Sequence, residues 1–253
     1  MALTVGQVYA AIDGFAPFEL AEGWDNAGLL AGAPDTQVRG ILCALELNPA
    51  VLREVVEMDC NLIVTHHPIL FHARKNLRED EPEGAMLCTL VRSGIALIAA
   101  HTNFDKAVPG VNDALAQRLA LEDVQADESG LRVGMPAQTT LGAFATFAQQ
   151  ALGGPVRVYG EPDRIVRRAA VLGGAGGDFA QLARAVGADV YLTGEIAHHK
   201  AWDAYLCGLC VLEAGHAATE LPAVELLAGG LQNALNGVKW NERIYRSEVE
   251  LFR

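Results

Sequence analysis

The sequence is poor in basic residues and has no long apolar run. Its 253 residues include 19 Lys and Arg against 31 Asp and Glu, which gives a formal net charge of -12. Because an acidic surface repels phosphate groups, we expect neither non-specific nucleic-acid binding nor attraction to an anionic membrane. No apolar run approaches the ~20 residues of a membrane-spanning helix, and the first residues lack a signal-peptide pattern. We therefore expect a cytoplasmic protein.

Cysteine is scarce and odd in number. The five residues are Cys43, Cys60, Cys88, Cys207 and Cys210. An odd number does not make a disulfide framework, so we expect reduced thiols in a reducing compartment. The last two form a lone CxxC motif without the second pair of a zinc site. We interpret them as small apolar residues that enter a buried strand.

Apolar residues, in contrast, are abundant and form a pattern. They make up 51% of the chain, which is enough for a sizeable core and excludes disorder of the bulk of the chain. Short continuous apolar runs at residues 40–45, 61–65 and 95–100 alternate with helical patterns, as buried parallel strands do. The first half therefore predicts an α/β unit with a mostly parallel sheet covered on both faces.

A second alternation follows a polar stretch. Residues 122–130 are predicted to form a connection, after which short apolar strands recur. These strands are at residues 169–172, 189–193 and 209–212. One long helix is predicted over residues 219–235. Residues 243–252 alternate between apolar and polar side chains, which predicts a half-exposed edge strand.

Histidines follow three of the predicted strands. His66 and His67 come directly after the second apolar run of the first half, and His101 comes directly after the third. His216 follows the last apolar run of the second half. Ligands bind at the carboxyl ends of strands in α/β sheets, because loops converge there. We therefore interpret these residues as parts of one site; the alternative is that they cap strands and hydrogen-bond to the backbone.

Carboxylates stand four residues after two of these histidines. Asp105 follows His101, and Glu220 follows His216; a helix that opens at residue 216 places the second pair on one face. Imidazole and carboxylate donors suit Zn, Mn, Fe, Co or Ni rather than Cu(I) or an iron–sulfur cluster. The candidate donors are His66, His67, Asp105, His216 and Glu220. They exceed the three ligands of a mononuclear catalytic zinc and suit two ions, with Asp105 as the natural bridging carboxylate.

Two further segments carry alternatives. Glu195 is either an acid–base group of the site or an ordinary acidic residue at a helix N-terminus. Asp25 and Asn26 either face the site or cap backbone groups in a turn, and we favour the turn. These alternatives stay open at the level of the sequence.

Glycine and basic residues give a weaker signal for an anion. The segment 173–177 (GGAGG) lies between a predicted strand and a predicted helix, so its amides could cradle an anion. It lacks the spacing of phosphate-binding and dinucleotide-binding loops. We interpret His72 as a surface residue or as one that supports the site. Arg74 and Lys75 are close to the histidine pair in sequence, but solvated charges are the more common case.

Six short segments, spread over nearly the whole chain, are distinctive when taken together. They are residues 24–29 (WDNAGL), 65–68 (THHP), 101–105 (HTNFD), 173–177 (GGAGG), 193–195 (TGE) and 215–220 (GHAATE). With these segments the chain resembles the NGG-one-interacting-factor-three-like family, many members of which are named GTP cyclohydrolase I type 2 homologs. No candidate ligand position departs from the pattern of that family.

The resemblance implies a dinuclear metal site with five protein ligands and with His101 nearby. The five are His66, His67, Asp105, His216 and Glu220. It also implies two interlinked α/β lobes with mostly parallel mixed sheets and the metal site between them. We place the lobes at residues 1–125 and 126–253, with the C-terminal strand free to return to the first lobe. A homohexameric toroid, built as a trimer of dimers, is implied as well, and the chain is similar to the short bacterial form.

The function implied by the resemblance is that of a metal-dependent hydrolase. Two divalent transition-metal ions per chain would lower the pKa of a bridging water, and the resulting hydroxide would attack a small-molecule substrate such as GTP at C8 of the purine. His101 and Glu195 are candidate proton shuttles. The alternative is a non-enzymatic metal chaperone or a metal-dependent assembly or regulatory factor, in which the same ligands bind exchangeable ions.

Overall fold

The computed structural model describes residues 2–238, 240 and 243–249. The chain folds into two compact units. The first unit comprises Met1–Ala107 and Val224–Val249, and the second comprises Val108–Ala223. The first unit is therefore built from two separate stretches of the chain, and the second unit is inserted between them in sequence.

Each unit combines one sheet with helices. In the described part of the chain, the strands are β1 (Gly28–Ala31), β2 (Ile41–Ala44), β3 (Leu62–Thr65), β4 (Ala96–Ala99), β5 (Glu122–Ala126), β6 (Arg132–Met135), β7 (Arg157–Tyr159), β8 (Ala169–Leu172), β9 (Val190–Thr193), β10 (Cys210–Glu213) and β11 (Ile244–Arg246). The α-helices are α1 (Val5–Phe15), α2 (Pro49–Glu57), α3 (Pro82–Ser93), α4 (Thr102–Lys106), α5 (Val111–Arg118), α6 (Leu141–Leu152), α7 (Ala180–Ala185), α8 (His198–Leu206), α9 (His216–Glu220) and α10 (Pro222–Ala234). Among the described residues, no helix has both the length and the apolar character needed to cross a membrane.

The sheet of the first unit has the strand order β1-β4-β3-β2-β11 in the described residues. Its strands pair in parallel, except that β1 is antiparallel to β4. β2, β3 and β4 are buried along their whole length, which explains why each is a continuous apolar run in the sequence. Because β3 and β4 are parallel neighbours, the residues that follow them emerge at the same edge of the sheet.

Local sequence signals begin the helices of the first unit. Thr4 and Gln7 form a capping box at the start of α1, in which each backbone amide donates to the side chain of the other residue. The side chain of Asn48 accepts from the amides of Ala50 and Val51 at the start of α2. These caps satisfy amides that have no partner inside their own helix.

The sheet of the second unit has the strand order β5-β6-β8-β9-β10-β7 in the described residues. Its central strands β8, β9 and β10 are parallel, and the outer strands are antiparallel to their neighbours. Residues that follow β9 and β10 therefore emerge at one edge of the sheet.

On β6, the fully buried Arg132 binds both carboxylate oxygens of Asp113 at 2.8 and 2.7 Å, which compensates the buried charge.

The predicted α/β class with mostly parallel and mixed sheets is confirmed, but two predictions for the middle of the chain are wrong. Residues 122–130 were expected to form a connection and instead contain β5, which is polar because all its residues are exposed. The boundary between the units lies after Ala107 rather than after residue 125. The reason is that α5 packs against β6 and β8, and that β5 pairs with β6.

The C-terminal predictions also need correction. The helix expected over residues 219–235 is two helices, α9 and α10, because α10 begins at Pro222, which has no amide hydrogen to continue the preceding helix. Of the strand expected over residues 243–252, the structure describes β11, which pairs with β2 in the first unit. Residues 250–252 lie outside the described residues.

Candidate metal centre

Three histidines of the first unit lie together at the carboxyl edge of its sheet. His66 and His67 directly follow β3, and His101 stands just past β4. One ring nitrogen from each of the three lies within 4.8 Å of the other two. The ring centroids of His66 and His67 are 5.0 Å apart, and those of His66 and His101 are 5.2 Å apart. The structure therefore brings together the three histidines of this unit that the strand pattern selected.

Hydrogen bonds of backbone and ring fix the histidine pair. The amides of His66 and His67 both donate to the carbonyl oxygen of Leu45, at 3.1 and 2.8 Å. The buried ring of His66 has its Nδ1 at 2.9 Å from the carbonyl oxygen of Ala100. Because a carbonyl oxygen only accepts, Nδ1 is the donor, and the lone pair of the neutral ring is on Nε2. A neutral imidazole oriented in this way is the form that binds metals.

Two carboxylates lie beside the histidine pair. Oδ1 of Asp105, which is on α4, is 3.8 Å from Nε2 of His66. Oε2 of Glu46 is 3.6 Å from Nδ1 of His67. Both separations exceed the length of a hydrogen bond. Since metal–ligand distances are about 2.0–2.2 Å, the separation of Asp105 and His66 is compatible with one ion between them.

His101 is held by a carboxylate from a distant part of the sequence. Oδ1 of Asp25 lies 2.7 Å from Nδ1 of His101, and Oδ2 accepts from the amide and the hydroxyl of Thr102 at 3.1 and 2.6 Å. Burial alone would raise the pKa of Asp25, but the hydrogen bonds from His101 and Thr102 and the charge of His101 hold this pKa well below its usual range. The carboxylate of Asp25 therefore caps backbone amides, as the sequence favoured, and it also contacts His101, which was the alternative.

Asn26, His72 and Arg74 lie on loops of the first unit. The side-chain amide of Asn26 donates to the carbonyl oxygen of Leu70 at 2.7 Å and so ties down the loop that follows the histidine pair. His72 is exposed. Arg74 binds two carboxylates of the following segment, so its charge is compensated within the protein.

His216 and Glu220 form the donor pair of the second unit. Both are on α9, which begins at His216, and the spacing of four residues brings Nε2 and Oε2 to 3.2 Å. Glu220 is buried. Glu195 follows β9, and its Oε2 lies 3.4 Å from Nδ1 of His216, although its side chain is 59% exposed. The structure thus places the predicted acid–base candidate against the predicted ligand.

Glycine backbone surrounds this donor pair. A Cβ atom on Gly174, whose φ is +62°, would lie 2.1 Å from Oε1 of Glu220 and 3.2 Å from Nε2 of His216. A Cβ atom on Gly173 would lie 3.3 Å from Cγ of Glu220, and one on Gly194 would lie 2.8 Å from Cα of His216. The donors can occupy these positions only because the neighbouring residues have no side chains.

The amides of the glycine segment have protein partners. Gly173 donates to Oδ1 of Asn112 at 2.8 Å, and Gly174 donates to Oγ1 of Thr219 at 3.0 Å. Gly176 donates to a threonine hydroxyl on β9 at 3.1 Å. These three amides are therefore not available to cradle an anion, and the segment instead packs against the helix that carries Glu220. The sequence could not reveal this, because each partner is distant in sequence.

In each unit, the donors are of the kind that binds a divalent first-row transition metal. The first unit offers three imidazoles with Asp105 at the side of His66, and the second offers an imidazole with a buried carboxylate. Zn, Mn, Fe, Co and Ni all accept this combination of nitrogen and oxygen ligands. The carboxylate of Glu220 occupies the space that the missing side chain of Gly174 leaves, which agrees with a site built around this carboxylate.

Comparisons with known proteins show the family of this chain. The family model for Duf34/NIF3 (NGG1p interacting factor 3) matches residues 3–251. A Streptomyces coelicolor protein named GTP cyclohydrolase 1 type 2 homolog is 35% identical, with 97% of this chain and 91% of the relative covered. A crystal structure of Staphylococcus aureus protein SA1388 has a TM-score of 0.92 and 28% identity, with 99% of each chain covered. A Bacillus cereus protein related to NIF3 shares the fold with a TM-score of 0.94 at 24% identity, covering 99% of this chain and 98% of its own. The chain belongs to the Duf34/NIF3 family.

Proposed function

We propose that this protein is a metal-dependent hydrolase of the GTP cyclohydrolase type with a dinuclear metal centre. The observation that carries the proposal is the cluster of His66, His67 and His101, whose ring nitrogens lie within 4.8 Å of one another. Family membership supports it, because a relative that is 35% identical over nearly the whole chain is named GTP cyclohydrolase 1 type 2 homolog.

Five residues are the proposed ligands of two divalent ions per chain. They are His66, His67, Asp105, His216 and Glu220. Asp105 is the proposed bridging carboxylate, and the hydrogen bond from Nδ1 of His66 to a carbonyl oxygen holds that ring in its metal-binding tautomer. When bound, two such ions act as Lewis acids and lower the pKa of a water molecule. The proposed metals are Zn, Mn, Fe, Co and Ni.

His101 and Glu195 are the proposed proton-carrying groups. The ring of His101 contacts that of His66, while 15% of its side chain is exposed, so it can pass protons between solvent and the site. The exposed carboxylate of Glu195 exchanges protons with solvent and lies 3.4 Å from the ring of His216. Both groups therefore combine solvent access with contact to a proposed ligand.

The metal content of the full-length chain tests the proposed centre. Elemental mass spectrometry is expected to find about two first-row transition ions per chain. Asp105→Asn is expected to lower this number by about one or more, because it removes the bridging charge and keeps the size of the side chain. Asp163→Asn, at an exposed position, is the matched control and is expected to retain both ions. Folded protein that stays near zero after incubation with Zn²⁺ or Mn²⁺ would refute the proposal.

Turnover separates a hydrolase from the non-enzymatic alternative. The metal-loaded full chain is incubated with GTP, and the products are identified by chromatography and mass spectrometry. A hydrolase is expected to give a product in which water has been added at the purine ring, in wild type and Asp163→Asn but not in Asp105→Asn. A metal chaperone or assembly factor would instead bind its ions, leave GTP unchanged and release the ions to an acceptor.

We also propose a homohexamer, arranged as a trimer of dimers, as the assembly of this chain. Membership of the family that the sequence resembles supports it. Light scattering of the full chain is expected to give six times the mass of one chain; a monomer at micromolar concentration would contradict it. Nucleic acid is not a proposed partner, because the net charge of -12 opposes binding to a phosphate backbone.

A further inference from the structure

Asp25 connects two parts of the first unit that are far apart in sequence. It lies 76 residues before its partner His101, and its side chain is fully shielded from solvent. Each of its oxygens accepts two hydrogen bonds. Oδ2 accepts from the amide and hydroxyl of Thr102, and Oδ1 accepts from the amide of Asn26 at 2.7 Å and from Nδ1 of His101 at 2.7 Å.

The two carboxylate oxygens of Asp25 contact different parts of the structure. Thr102 is the first residue of α4, and His101, the residue before it, supplies no side-chain cap. Oδ2 therefore caps the helix by accepting an amide that has no partner inside the helix. Oδ1 contacts the imidazole of His101, and the folding of α4 does not require this contact. A carboxylate that only capped α4 could leave the His101 ring to solvent.

We propose that Asp25 is a positioning residue that holds His101 in the tautomer protonated on Nδ1. An ionised carboxylate only accepts hydrogen bonds, so the ring nitrogen that it contacts carries the proton. In the neutral ring the lone pair is then on Nε2, which is the nitrogen left to act on a substrate or an ion. The catalytic use of that nitrogen rests on the proposed function, whereas the tautomer itself does not.

Asp25→Asn gives a sharp test, because an amide has one oxygen and one NH₂ group. The amide of Thr102 is half-buried and needs an acceptor, whereas the amide of Asn26 is exposed and can bind water. The oxygen of the new side chain is therefore expected to face Thr102, and the NH₂ group to face His101. The ring must then accept at Nδ1, so its proton moves to Nε2.

The measurement is solid-state ¹⁵N NMR of the full chain labelled with ¹⁵N-histidine and loaded with Zn²⁺, which is diamagnetic. His101→Gln assigns the signal by its loss. We expect the proton of the wild-type ring on Nδ1, and we expect it on Nε2 in Asp25→Asn. If Asp25 only stabilised the loops, its replacement would not shift this signal, because that structural role does not depend on which ring nitrogen of His101 carries the proton.

Two variants serve as controls. Asp13→Asn changes another carboxylate of this unit, which accepts from the amide of Phe18 at 2.8 Å, and it is expected to leave the His101 signal unchanged. Thr102→Val removes a hydroxyl from Oδ2 and leaves the contact of Oδ1, so the Nδ1 tautomer is expected to persist. A wild-type ring protonated on Nε2 alone would overturn the proposal, whether or not the Asn variant folds. Absence of bound zinc with the Nδ1 tautomer intact would count against the proposed metal centre and not against this role of Asp25.

Discussion

The two units hold the side chains of the candidate site in different ways. In the first unit the donors come from separate loops, and acceptors on ring nitrogens orient them: a backbone carbonyl holds His66, and Asp25 holds His101. In the second unit His216 and Glu220 are on one short helix, and their spacing of four residues brings Nε2 and Oε2 to 3.2 Å. The backbone of neighbouring glycines packs against both side chains. The first arrangement is therefore sensitive to the loss of a polar partner, and the second to the gain of a methyl group.

A methyl group at Gly194 is expected to have the largest effect. Its Cβ would lie 2.6 Å from the carbonyl oxygen of Gly174, 2.7 Å from Oγ1 of Thr219 and 2.8 Å from Cα of His216. Because two of these atoms belong to the backbone, side-chain rotation cannot relieve the clash. We expect Gly194→Ala to lower the free energy of unfolding in urea by roughly 3 kcal/mol and to reduce metal content.

The same substitution in the first unit provides the contrast. Gly14 is on α1, and a Cβ there would have no atom within 4 Å. Gly14→Ala is expected to raise the free energy of unfolding by about 0.5–1 kcal/mol, because alanine is the better helix former. If both variants lost the same free energy of unfolding, crowding near His216 would not be the cause of the loss in Gly194→Ala.

Removal of the Asp25 carboxylate tests the dependence of the first unit on polar partners. Asp25→Ala takes the acceptor away from the amide of Thr102 and from Nδ1 of His101, so we expect a loss of about 2–3 kcal/mol in unfolding free energy at neutral pH. Urea unfolding of wild type and variant measures this difference.

The effect of Asp25 has a defined pH dependence. Its pKa in the folded protein is lowered, so its ionised form contributes stability above the unfolded pKa of about 3.9. That stability is lost as the pH falls below this value towards the folded pKa. The difference between wild type and Asp25→Ala should therefore be steady over about pH 5–7 and shrink below about pH 4. A difference that grew in acid would contradict the assignment.

A threonine hydroxyl in each unit gives a matched pair with smaller effects. Oγ1 of Thr219 accepts from the buried amide of Gly174 at 3.0 Å, and Oγ1 of Thr102 accepts from the part-buried amide of Glu22 at 2.9 Å. Valine keeps the shape and removes the acceptor. We expect a loss of about 2 kcal/mol in the free energy of unfolding for each variant. Water can reach the amide of Glu22, which reduces the loss for Thr102→Val, but that variant also removes the hydrogen bond from the threonine hydroxyl to Oδ2 of Asp25. Thermal unfolding measures both variants, and a negligible loss in either would contradict the comparison.

The smallest effect is expected for an exposed carboxylate. Asp59 lies 3.2 Å from both Arg39 and Arg243, and its pKa is lowered, first by the hydrogen bond from Arg243 and then by that from Arg39. Solvent screens these pairs, unlike the buried contact of Asp25. Asp59→Asn is expected to leave the urea midpoint nearly unchanged at physiological salt. A loss of stability comparable to that of Asp25→Ala would show that burial does not explain the difference between the two carboxylates.

Continuous apolar runs predicted the strands that are buried along their whole length. β2, β3 and β4 are buried throughout, and such strands leave continuous apolar runs. β5 was missed because all its residues are exposed at the edge of its sheet, and β1 because only its first residue is buried. An edge strand can be predicted locally where apolar and polar side chains alternate, as they do around β11, and β1 and β5 lack that alternation.

The donors of the candidate centre could be located because each follows a buried strand or stands one helical turn from a histidine. The contact between Asp25 and His101 could not be predicted, because the two residues are 76 positions apart and the sequence around Asp25 is that of an ordinary turn. The role of the glycine segment 173–177 could not be predicted either, for a similar reason. Its amides are engaged by Asn112 and Thr219, and only the tertiary fold decides whether an amide is available.

The place of β11 in the sequence has a consequence for how the protein is made. It pairs with β2 and so completes the sheet of the first unit, but it comes after Val108–Ala223 of the second unit. During synthesis, β2 therefore has an open edge until the second unit has been translated, and open edges are templates for aggregation. The second unit can fold before the first is complete, which inverts the usual order in which a ribosome releases domains.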